Sequence, residues 1–289
     1  MKTDLARSRT ALLEWYRPRR HAYSWRRGRR SPYRTLVSEV MLQQTQAPRV
    51  EPIFERFLGR FPDVRALADA SRADVLRAWA GLGYNRRAMA LHEAARAIVR
   101  EHRGRVPRNA DALVRLPGVG PYTAAAVASI GFGDPVAALD GNVRRVVARA
   151  LRGAEPDEVP LGDLASDAQA WLDPSVPGEW NQALMDVGRL HCRPAPRCEG
   201  CPLAPSCLFR GAGRPGRPSG RRQSRFEGSP RQVRGAVVRE LRSVRSASAE
   251  ALAERTGHTS AAVATATAAL ATDGIVERTR SGRFRLSSR

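Results

Sequence analysis

The chain has 289 residues, of which 42% are hydrophobic, and its formal net charge at neutral pH is +21. No apolar run approaches the roughly 20 residues that a membrane-spanning helix needs, so a membrane protein is not expected. The N-terminal sequence MKTDLARSRT lacks the apolar stretch of a signal peptide, which favours a cytoplasmic protein. The large positive charge favours a polyanionic partner, and nucleic acid is the commonest one.

Most of the chain is predicted to be helical. In residues 1–210 apolar side chains recur at spacings of three and four between short Gly and Pro breaks, and we find no alternating strand pattern, so the predicted fold class is all-α. Residues 211–230 are rich in Gly, Pro and Arg and are predicted to be a linker or a basic surface arm. Three short helices and a closing hairpin are predicted over residues 231–289. That is the order of a winged helix, an α+β module that often binds DNA.

One predicted helix carries an unexpected acid. The stretch SPYRTLVSEVMLQQTQAP, residues 31–48, is predicted to be a helix that Ser31 caps and Pro48 ends. Glu39 lies among the apolar residues of this helix. Its carboxylate is therefore either turned to solvent or partly buried, and burial would raise its pKa toward the range of a general acid. Gln43 follows Glu39 by one helical turn, so both side chains would project from the same face.

The cysteines form one cluster in the sequence. They follow the spacing C-x5-C-x2-C-x5-C, at Cys192, Cys198, Cys201 and Cys207. Disulfides are not expected in a chain without an export signal, so a metal or cluster site is favoured. Zinc sites usually present two close pairs, whereas four thiolates from one compact loop suit a 4Fe-4S cluster. Such a cluster would either staple the helices together or serve a redox role, and the sequence leaves both open.

A glycine turn lies within the segment LPGVGPYTAAAVASI, residues 116–130. Gly118, Val119 and Gly120 form the turn, where the glycines let the backbone approach a ligand. The amides at the start of the next helix would then donate to a phosphate oxygen. The same segment could be an ordinary tight turn between packed helices. With a predicted helix on each side it forms a helix-hairpin-helix, a sequence-independent grip on a nucleic-acid backbone.

Seven segments resemble a known family, the A/G-specific adenine DNA glycosylases (MutY-type) of the helix-hairpin-helix superfamily. In chain order they are SEVMLQQTQ, FERFLGRFP, GLGYNRRAMALHEAA, LPGVGPYTAAA, LDGNVRRVVAR, NQALMDVG and the cysteine loop. Bifunctional relatives such as endonuclease III carry a catalytic lysine after the glycine turn. This chain has Pro121, Tyr122 and Thr123 there, and no lysine beyond Lys2. The resemblance therefore implies a monofunctional glycosylase without a lyase step.

The resemblance also implies a domain organisation. We expect one helical lobe over residues 30–135 and a second that combines 1–29 with 136–210 and includes the cluster loop 192–207. The linker 211–230 and the winged-helix-like module 231–289 would follow. Family members commonly end in a β-rich, Nudix-like domain that recognises 8-oxoguanine, and the 79 residues from 211 to 289 are too few and too helical for it. Discrimination is therefore expected to rest on the catalytic domain, with the module adding phosphate contacts.

The family's chemistry can be carried over to matching residues. The target adenine would be flipped out of the duplex into a pocket. Glu39 would protonate N7 of the adenine and then help deliver water, while Asp140 would stabilise the oxocarbenium-like sugar or trap it covalently for a time. Asn142 and Tyr122 would position these groups. Apart from the resemblance, Asp140 could simply cap a helix and Tyr122 could be a core aromatic.

Further matching residues concern the DNA. In the family a glutamine and the tyrosine of GLGY, here Gln43 and Tyr84, enter the base stack near the lesion. Trp25 and Arg26 resemble a pair that lines the adenine pocket, and Arg20 would assist. Without the resemblance, Gln43 would be a capping residue and Tyr84 a packed aromatic. The implied partner is double-stranded DNA with adenine opposite 8-oxoguanine or guanine, bound by a bacterial monomer at the nucleoid.

Besides the C-terminus, two features depart from the family pattern: the first cysteine gap is five residues where the family usually has six, and Asn85 follows Tyr84, where a second tyrosine is common. Two rival functions stay open at this point. The first is a related glycosylase for another base, such as a mismatched thymine or an oxidised pyrimidine. The second is an iron-sulfur DNA-binding regulator that uses the winged helix as its reader, in which Glu39 and Asp140 would be dispensable.

Overall fold

The computed structural model of the protein describes residues 4–20, 23–28, 30–217 and 225–288. Helices and one small sheet make up the regular structure of these residues, which confirms the predicted fold class. The first three residues and residues 218–224 of the predicted linker lie outside the described part. The helices are α1 (Leu5–Tyr16), α2 (Pro32–Leu42), α3 (Ala47–Arg60), α4 (Val64–Ala68), α5 (Arg72–Ala78), α6 (Asn85–His102), α7 (Ala110–Val114), α8 (Pro121–Ala126), α9 (Gly141–Val147), α10 (Leu161–Trp171), α11 (Pro177–Leu190), α12 (Leu208–Gly211), α13 (Pro230–Ser243), α14 (Ala249–Thr256) and α15 (Ser260–Thr272).

Shorter turns and the sheet complete the described structure. Two π-helical turns, Val127–Phe132 and Ala148–Arg152, continue α8 and α9. Three 3-10 turns lie at Arg17–Arg19, Ser24–Arg26 and Ala204–Ser206. The strands are β1 (Val276–Arg278) and β2 (Phe284–Leu286), paired antiparallel with Val276 opposite Leu286.

The chain forms two compact units. The first comprises the described residues of Met1–Glu39, Pro107–Arg115 and Val119–Gly220, and the second those of Val40–Val106, Leu116–Gly118 and Arg221–Arg289. The boundary between the units falls within α2, whose residues up to Glu39 belong to the first unit. The lobe boundaries expected from the sequence stay a prediction.

The core of the first unit forms where α1, α9, α10 and α11 pack their apolar faces together. Trp171 at the end of α10 and Trp180 in α11 are both fully buried, and their rings meet edge to face with centroids 5.9 Å apart. This arrangement of two aromatic rings adds stabilisation beyond the area that it buries. The packing fixes α9 and α11 against each other.

The second unit joins the helices α3 to α6 with the C-terminal module. Phe54, Phe57 and Trp79 are fully buried among the former. In the module, the apolar faces of α13, α14 and α15 bury Val237, Leu252 and Val263. Three helices followed by a hairpin confirm the predicted order of a winged helix.

The predicted helix over residues 31–48 is shorter than expected. Its start is as predicted, because Ser31 accepts a hydrogen bond from the amide of Arg34 at 3.3 Å. It ends at Leu42, and Gln44 then adopts a left-handed φ of 56°, which a helix cannot continue. Pro48 lies in the first turn of α3 and does not end α2. Gln43 is therefore in a turn, not on the helix as the sequence had suggested.

The described first part of the predicted linker is fixed to the first unit. Arg214 donates to the carbonyl of Gly153 at 2.8 Å, and both Arg214 and Arg217 pair with Glu158, at 2.8 and 2.6 Å. These arginines, Arg214 first, lower the pKa of Glu158 to about 2. Residues 214–217 therefore lie along the surface of the first unit.

Candidate active site

Glu39 is a buried carboxyl group near the end of α2. Only 6% of the residue is exposed, and the neighbouring Leu36 and Val37 on the same helix are buried as well. Burial raises the pKa of Glu39 to about 7, because a charge in this place loses its hydration. The nearby Asp140 raises it further, while the charge of Arg26 opposes the shift. Of the two placements that the sequence left open, the structure has the buried one.

Tyr122 holds this carboxyl group in place. Its hydroxyl donates a hydrogen bond of 2.7 Å to Oε2 of Glu39 and lies 3.8 Å from the sulfur of Met185. Burial, together with the charges of Glu39 and Asp140, raises the pKa of Tyr122 well above its ordinary value of 10. The phenol therefore stays protonated at neutral pH and remains a donor. The bond itself lowers the pKa of Glu39, so it limits the effect of burial.

Asp140 caps a helix, as its position before α9 indicates. Oδ1 accepts a hydrogen bond of 2.6 Å from the amide of Val143, and Oδ2 accepts one of 3.1 Å from the side chain of Asn142. Burial raises the pKa of Asp140, and these donors oppose the rise. Capping α9 does not prevent Asp140 from acting through its charge, because that charge raises the pKa of Glu39. The first unit thus brings Glu39, Tyr122, Asp140 and Asn142 into one polar group.

A chain of hydrogen bonds continues from Asn142. Its side-chain oxygen accepts from Nη2 of Arg145 at 2.8 Å, and Nε of Arg145 donates to the carbonyl of Cys192 at 2.5 Å. Helix α11 approaches closely here, because a Cβ added at Gly188 would lie 2.6 Å from the Cβ of Asn142. Sequence reasoning missed Arg145. Its place three residues after Asn142 on a capped helix was the available signal.

Arg20, Trp25 and Arg26 line one cavity of the first unit, together with Glu179. Arg26 is nearly buried and makes a two-point ion pair with Asp186, at 2.6 and 3.1 Å. Arg20 pairs with Glu179 at 3.1 Å. The structure therefore brings the three predicted pocket residues together.

Glu39 is not among the described residues that line this cavity. Its link to the cavity is electrostatic, since the charge of Arg26 lowers the pKa of Glu39. Trp25 stacks flat on Tyr23, with ring centroids 4.6 Å apart.

The side chains of the four cysteines line another cavity of the first unit, beside Arg149 and Phe209. All four are free, half-buried thiols. Burial raises the pKa of Cys201 to about 11, and the charges of the other three cysteine thiols raise it further. Arg149 donates to the sulfur of Cys192 at 3.8 Å and to the carbonyl of Pro194 at 2.9 Å. A buried guanidinium thus holds the loop at its first cysteine.

The glycine turn has the backbone that its sequence predicts. Gly118 adopts a left-handed φ of 75°, and a Cβ there would lie 2.8 Å from that of Ala90. Gly120 precedes α8 in an extended conformation. Gly118 and Gly120 are exposed, whereas Val119 between them is buried.

In the second unit one arginine joins the segments of Gln43 and Tyr84. Arg87 donates to the carbonyls of Val40 and Met41 at 3.0 and 2.9 Å, and also to that of Gln43. Its guanidinium lies 5.3 Å from the ring centre of Tyr84, a cation–π distance. Tyr84 itself is 41% exposed and has a left-handed φ of 46°. Sequence reasoning missed Arg87.

Known proteins resemble this chain over most of its length. Residues 37–160 match the family model described as HhH-GPD superfamily base excision DNA repair protein. The adenine DNA glycosylase of Mycolicibacterium smegmatis is 42% identical over 278 residues, which cover 96% of this chain and 94% of the relative. The enzyme of that name from Mycobacterium tuberculosis H37Rv is 43% identical and matches 96% and 93%.

The chain belongs to the adenine DNA glycosylase family. Its mycobacterial relatives match nearly end to end, so the likeness includes the C-terminal module. The adenine DNA glycosylase of Homo sapiens is 42% identical over 70% of this chain but only 39% of its own length.

Solved structures support the fold of this family member. A thermostable thymine-DNA glycosylase superposes with a TM-score of 0.65 at 30% identity, over 71% of this chain and 95% of that protein. Endonuclease III in a non-covalent DNA complex gives a TM-score of 0.59 at 22% identity, over 73% of this chain and 99% of that one, and shows the fold alone. Among the described residues of this adenine DNA glycosylase family member, no helix has the length and apolar character to cross a membrane.

The raised pKa of Glu39 predicts a pH-dependent stability. The pKa rises from 4.5 to about 7 in the fold, so the folded protein retains this proton more strongly. That contribution is complete below the unfolded pKa and is lost as pH rises through the folded one. Glu39→Gln has no charge to bury. We therefore compare the free energy of unfolding of Glu39→Gln with that of the native protein. The variant's advantage should be about 2 to 3 kcal/mol larger at about pH 8.5 than at about pH 5.

Denaturant unfolding at the two pH values measures this difference. Glu55→Gln, at an exposed carboxylate, is the control and should show no such change. Equal stabilities of Glu39→Gln and the native protein at both pH values would show that Glu39 keeps an ordinary pKa.

Proposed function

We propose that the protein is a monofunctional DNA glycosylase that excises adenine lying opposite 8-oxoguanine or guanine in double-stranded DNA. The observation that carries this proposal is the buried Glu39 carboxyl, which Tyr122 orients and whose pKa of about 7 keeps much of it protonated at neutral pH. A general acid works best when its pKa lies near the working pH. The names of the relatives supply adenine as the base.

The proposed reaction breaks the bond between the sugar and the flipped adenine. Glu39 donates its proton to N7, so that the bonding electron pair leaves with a neutral base. The sugar becomes an oxocarbenium-like cation, which the Asp140 carboxylate stabilises by charge or by a transient covalent bond. Water then adds to the sugar, and the Glu39 carboxylate accepts its proton.

The surrounding residues position these two acids. Tyr122 orients Glu39 through its 2.7 Å hydrogen bond, and Asn142 orients Asp140 through one of 3.1 Å. The Tyr122 hydroxyl and the Asn142 amide are both uncharged. Neither therefore neutralises the carboxylate charge that stabilises the oxocarbenium-like cation. A lyase step through a lysine Schiff base is not part of the proposal, since Pro121, Tyr122 and Thr123 form the start of α8, where a lysine would be needed.

The DNA contacts remain as predicted from the sequence. The backbone of Gly118, Val119 and Gly120 would bind a phosphate. Gln43 and Tyr84 would enter the base stack, and the cavity lined by Arg20, Trp25 and Arg26 would receive part of the flipped nucleotide. The exposure of Tyr84 supports this role, because a purely packed tyrosine would be covered.

We infer that Cys192, Cys198, Cys201 and Cys207 hold a 4Fe-4S cluster. The four residues line one cavity of the first unit. A cluster suits this spacing, because each of its irons takes one thiolate. A cluster bound there would fix the cysteine loop, in which the carbonyl of Cys192 accepts a hydrogen bond from Arg145. We further infer a monomer that acts at the bacterial nucleoid in the cytoplasm.

Base release tests the proposed chemistry. Under single-turnover conditions the protein should release free adenine, without strand cleavage, from duplexes with adenine opposite 8-oxoguanine or guanine. Glu39→Gln and Asp140→Asn should each lower the rate by at least about 100-fold, because proton transfer and charge stabilisation are lost. Asp140→Asn can still cap α9, so its fold should be retained.

Glu55→Gln again serves as the control and should keep the native rate. Release of thymine or of an oxidised pyrimidine instead of adenine would favour the related glycosylase. Unaltered activity of Glu39→Gln would contradict the assignment of the acid.

Metal analysis tests the cluster. The purified protein should contain about four irons and about four acid-labile sulfides per chain. Cys198→Ala should lower both contents together, because one iron loses its thiolate. One zinc per chain and no sulfide would contradict the inference.

A further inference from the structure

The C-terminal module meets the residues that directly follow Tyr84. Both belong to the second unit. Arg242 near the end of α13 donates a hydrogen bond of 3.0 Å from Nη2 to the side-chain oxygen of Asn85. Asn85 is the residue that departs from the family motif, where a second tyrosine is common. The departing residue thus contacts the part of the chain that stands where relatives commonly carry another domain.

The contact between Arg242 and Asn85 is partly removed from water. Burial lowers the pKa of Arg242 to about 10, so the guanidinium is still charged at neutral pH. None of the described residues gives Arg242 a carboxylate partner. A hydrogen bond from a charged donor with little water around it is stronger than a neutral surface pair. The side-chain oxygen of Asn85 accepts from Nη2 of Arg242, whereas the buried Nε of Arg242 has no hydrogen-bond partner among the described residues.

Two further contacts fix the same region of the second unit. Arg86 pairs with Asp273 at 3.3 Å, and Asp273 is also held by Arg234 of α13. Arg72 on α5 donates to the carbonyl of Gly274 at 3.5 Å. Gly274 has a left-handed φ of 65°, and a Cβ there would lie 2.8 Å from the guanidinium of Arg72. The module is thus attached at two consecutive residues, 85 and 86, and at one neighbouring helix.

The segment around Tyr84 and Asn85 has an unfavourable backbone conformation. Tyr84 adopts a left-handed φ of 46°, which is uncommon for an aromatic residue and costs free energy unless the surroundings enforce it. Arg87 contacts the ring from one side, and its amide donates to the carbonyl of Tyr84 at 2.9 Å. Asn85, which opens α6, lies between these two residues in sequence. A constraint on Asn85 is therefore a constraint on the conformation of Tyr84.

We propose that the C-terminal module is a positioning element for recognition of the opposite base, and that Arg242 acts on Tyr84 through Asn85. The inference rests on the proposed role of Tyr84 at the lesion. The module would then contribute to discrimination between opposite bases by holding Tyr84 in place through Asn85. Arg242 is a positioning residue and does not itself contact the reacting atoms.

Discrimination is measured as the ratio of single-turnover adenine release opposite 8-oxoguanine to release opposite cytosine. Arg242→Met keeps the apolar stem and removes the donor, and Asn85→Leu keeps the shape and removes the acceptor. Each should lower the ratio by about fivefold, the size of effect expected from one lost hydrogen bond. The double variant should lower it no further, because both changes remove the same contact. Asn85→Asp, which keeps an acceptor, should retain the ratio.

The matched control is Arg239→Met on the same helix, whose side chain is 70% exposed and meets only its neighbour Glu240 among the described residues. It should leave the ratio unchanged. Hydrogen exchange gives a readout that needs no catalysis. The amide of Arg87 should exchange about fivefold faster in Arg242→Met than in Arg239→Met, because the Tyr84 segment opens more often.

The outcomes separate the inference from the function on which it rests. If Arg242→Met and Asn85→Leu lower only the thermal stability, with ratio and exchange unchanged, the contact is structural and the proposal is overturned. Asn85→Leu decides the matter if Arg242→Met fails to fold. If Tyr84→Ala leaves the ratio unchanged, the proposed role of Tyr84 is wrong, and the inference fails with it. If Tyr84→Ala lowers the ratio, Arg242→Met should have no further effect in that background.

Discussion

The hydrogen bond from Tyr122 to Glu39 is the interaction on which the account of this protein depends. A carboxyl group in a dry place would tend to stay protonated at every physiological pH, and a solvated one would be ionised. The tyrosine hydroxyl sets Glu39 between these limits, because it favours the carboxylate while burial favours the acid. The result is a group that can give up a proton and take one back near neutral pH.

The surrounding packing keeps that balance in place. Helix α11 has Gly188 where Asn142 comes close, so α11 has no side chain at the point where that of Asn142 lies against it. Asn142 then orients Asp140, and Arg145 joins Asn142 to the backbone of the cysteine loop. A cysteine loop that is held in place would therefore also help to hold Asp140.

Much of the fold and the site could be predicted from the sequence, for a physical reason. Helical periodicity and glycine turns are local, so α6 and the glycine turn at Gly118 were foreseeable, as was the burial of Glu39 among apolar neighbours. The end of α2 at Leu42 was not, because a left-handed residue at Gln44 leaves no strong signature. Arg87 was missed because its acceptors are backbone carbonyls, which no spacing reveals, and Arg145 was missed although its place three residues after Asn142 was a signal, because its other acceptor is a distant backbone carbonyl.

Much of the Glu39 carboxyl is protonated at neutral pH because the fold buries it. Carbon NMR of the protein labelled at glutamate carboxyl carbons measures this directly, with Glu39→Gln identifying the signal. The account predicts a titration midpoint of about 7 in the free protein, and a higher one in Tyr122→Phe, which lacks the hydrogen bond that favours the carboxylate. A midpoint near the ordinary value of 4.5 would contradict it.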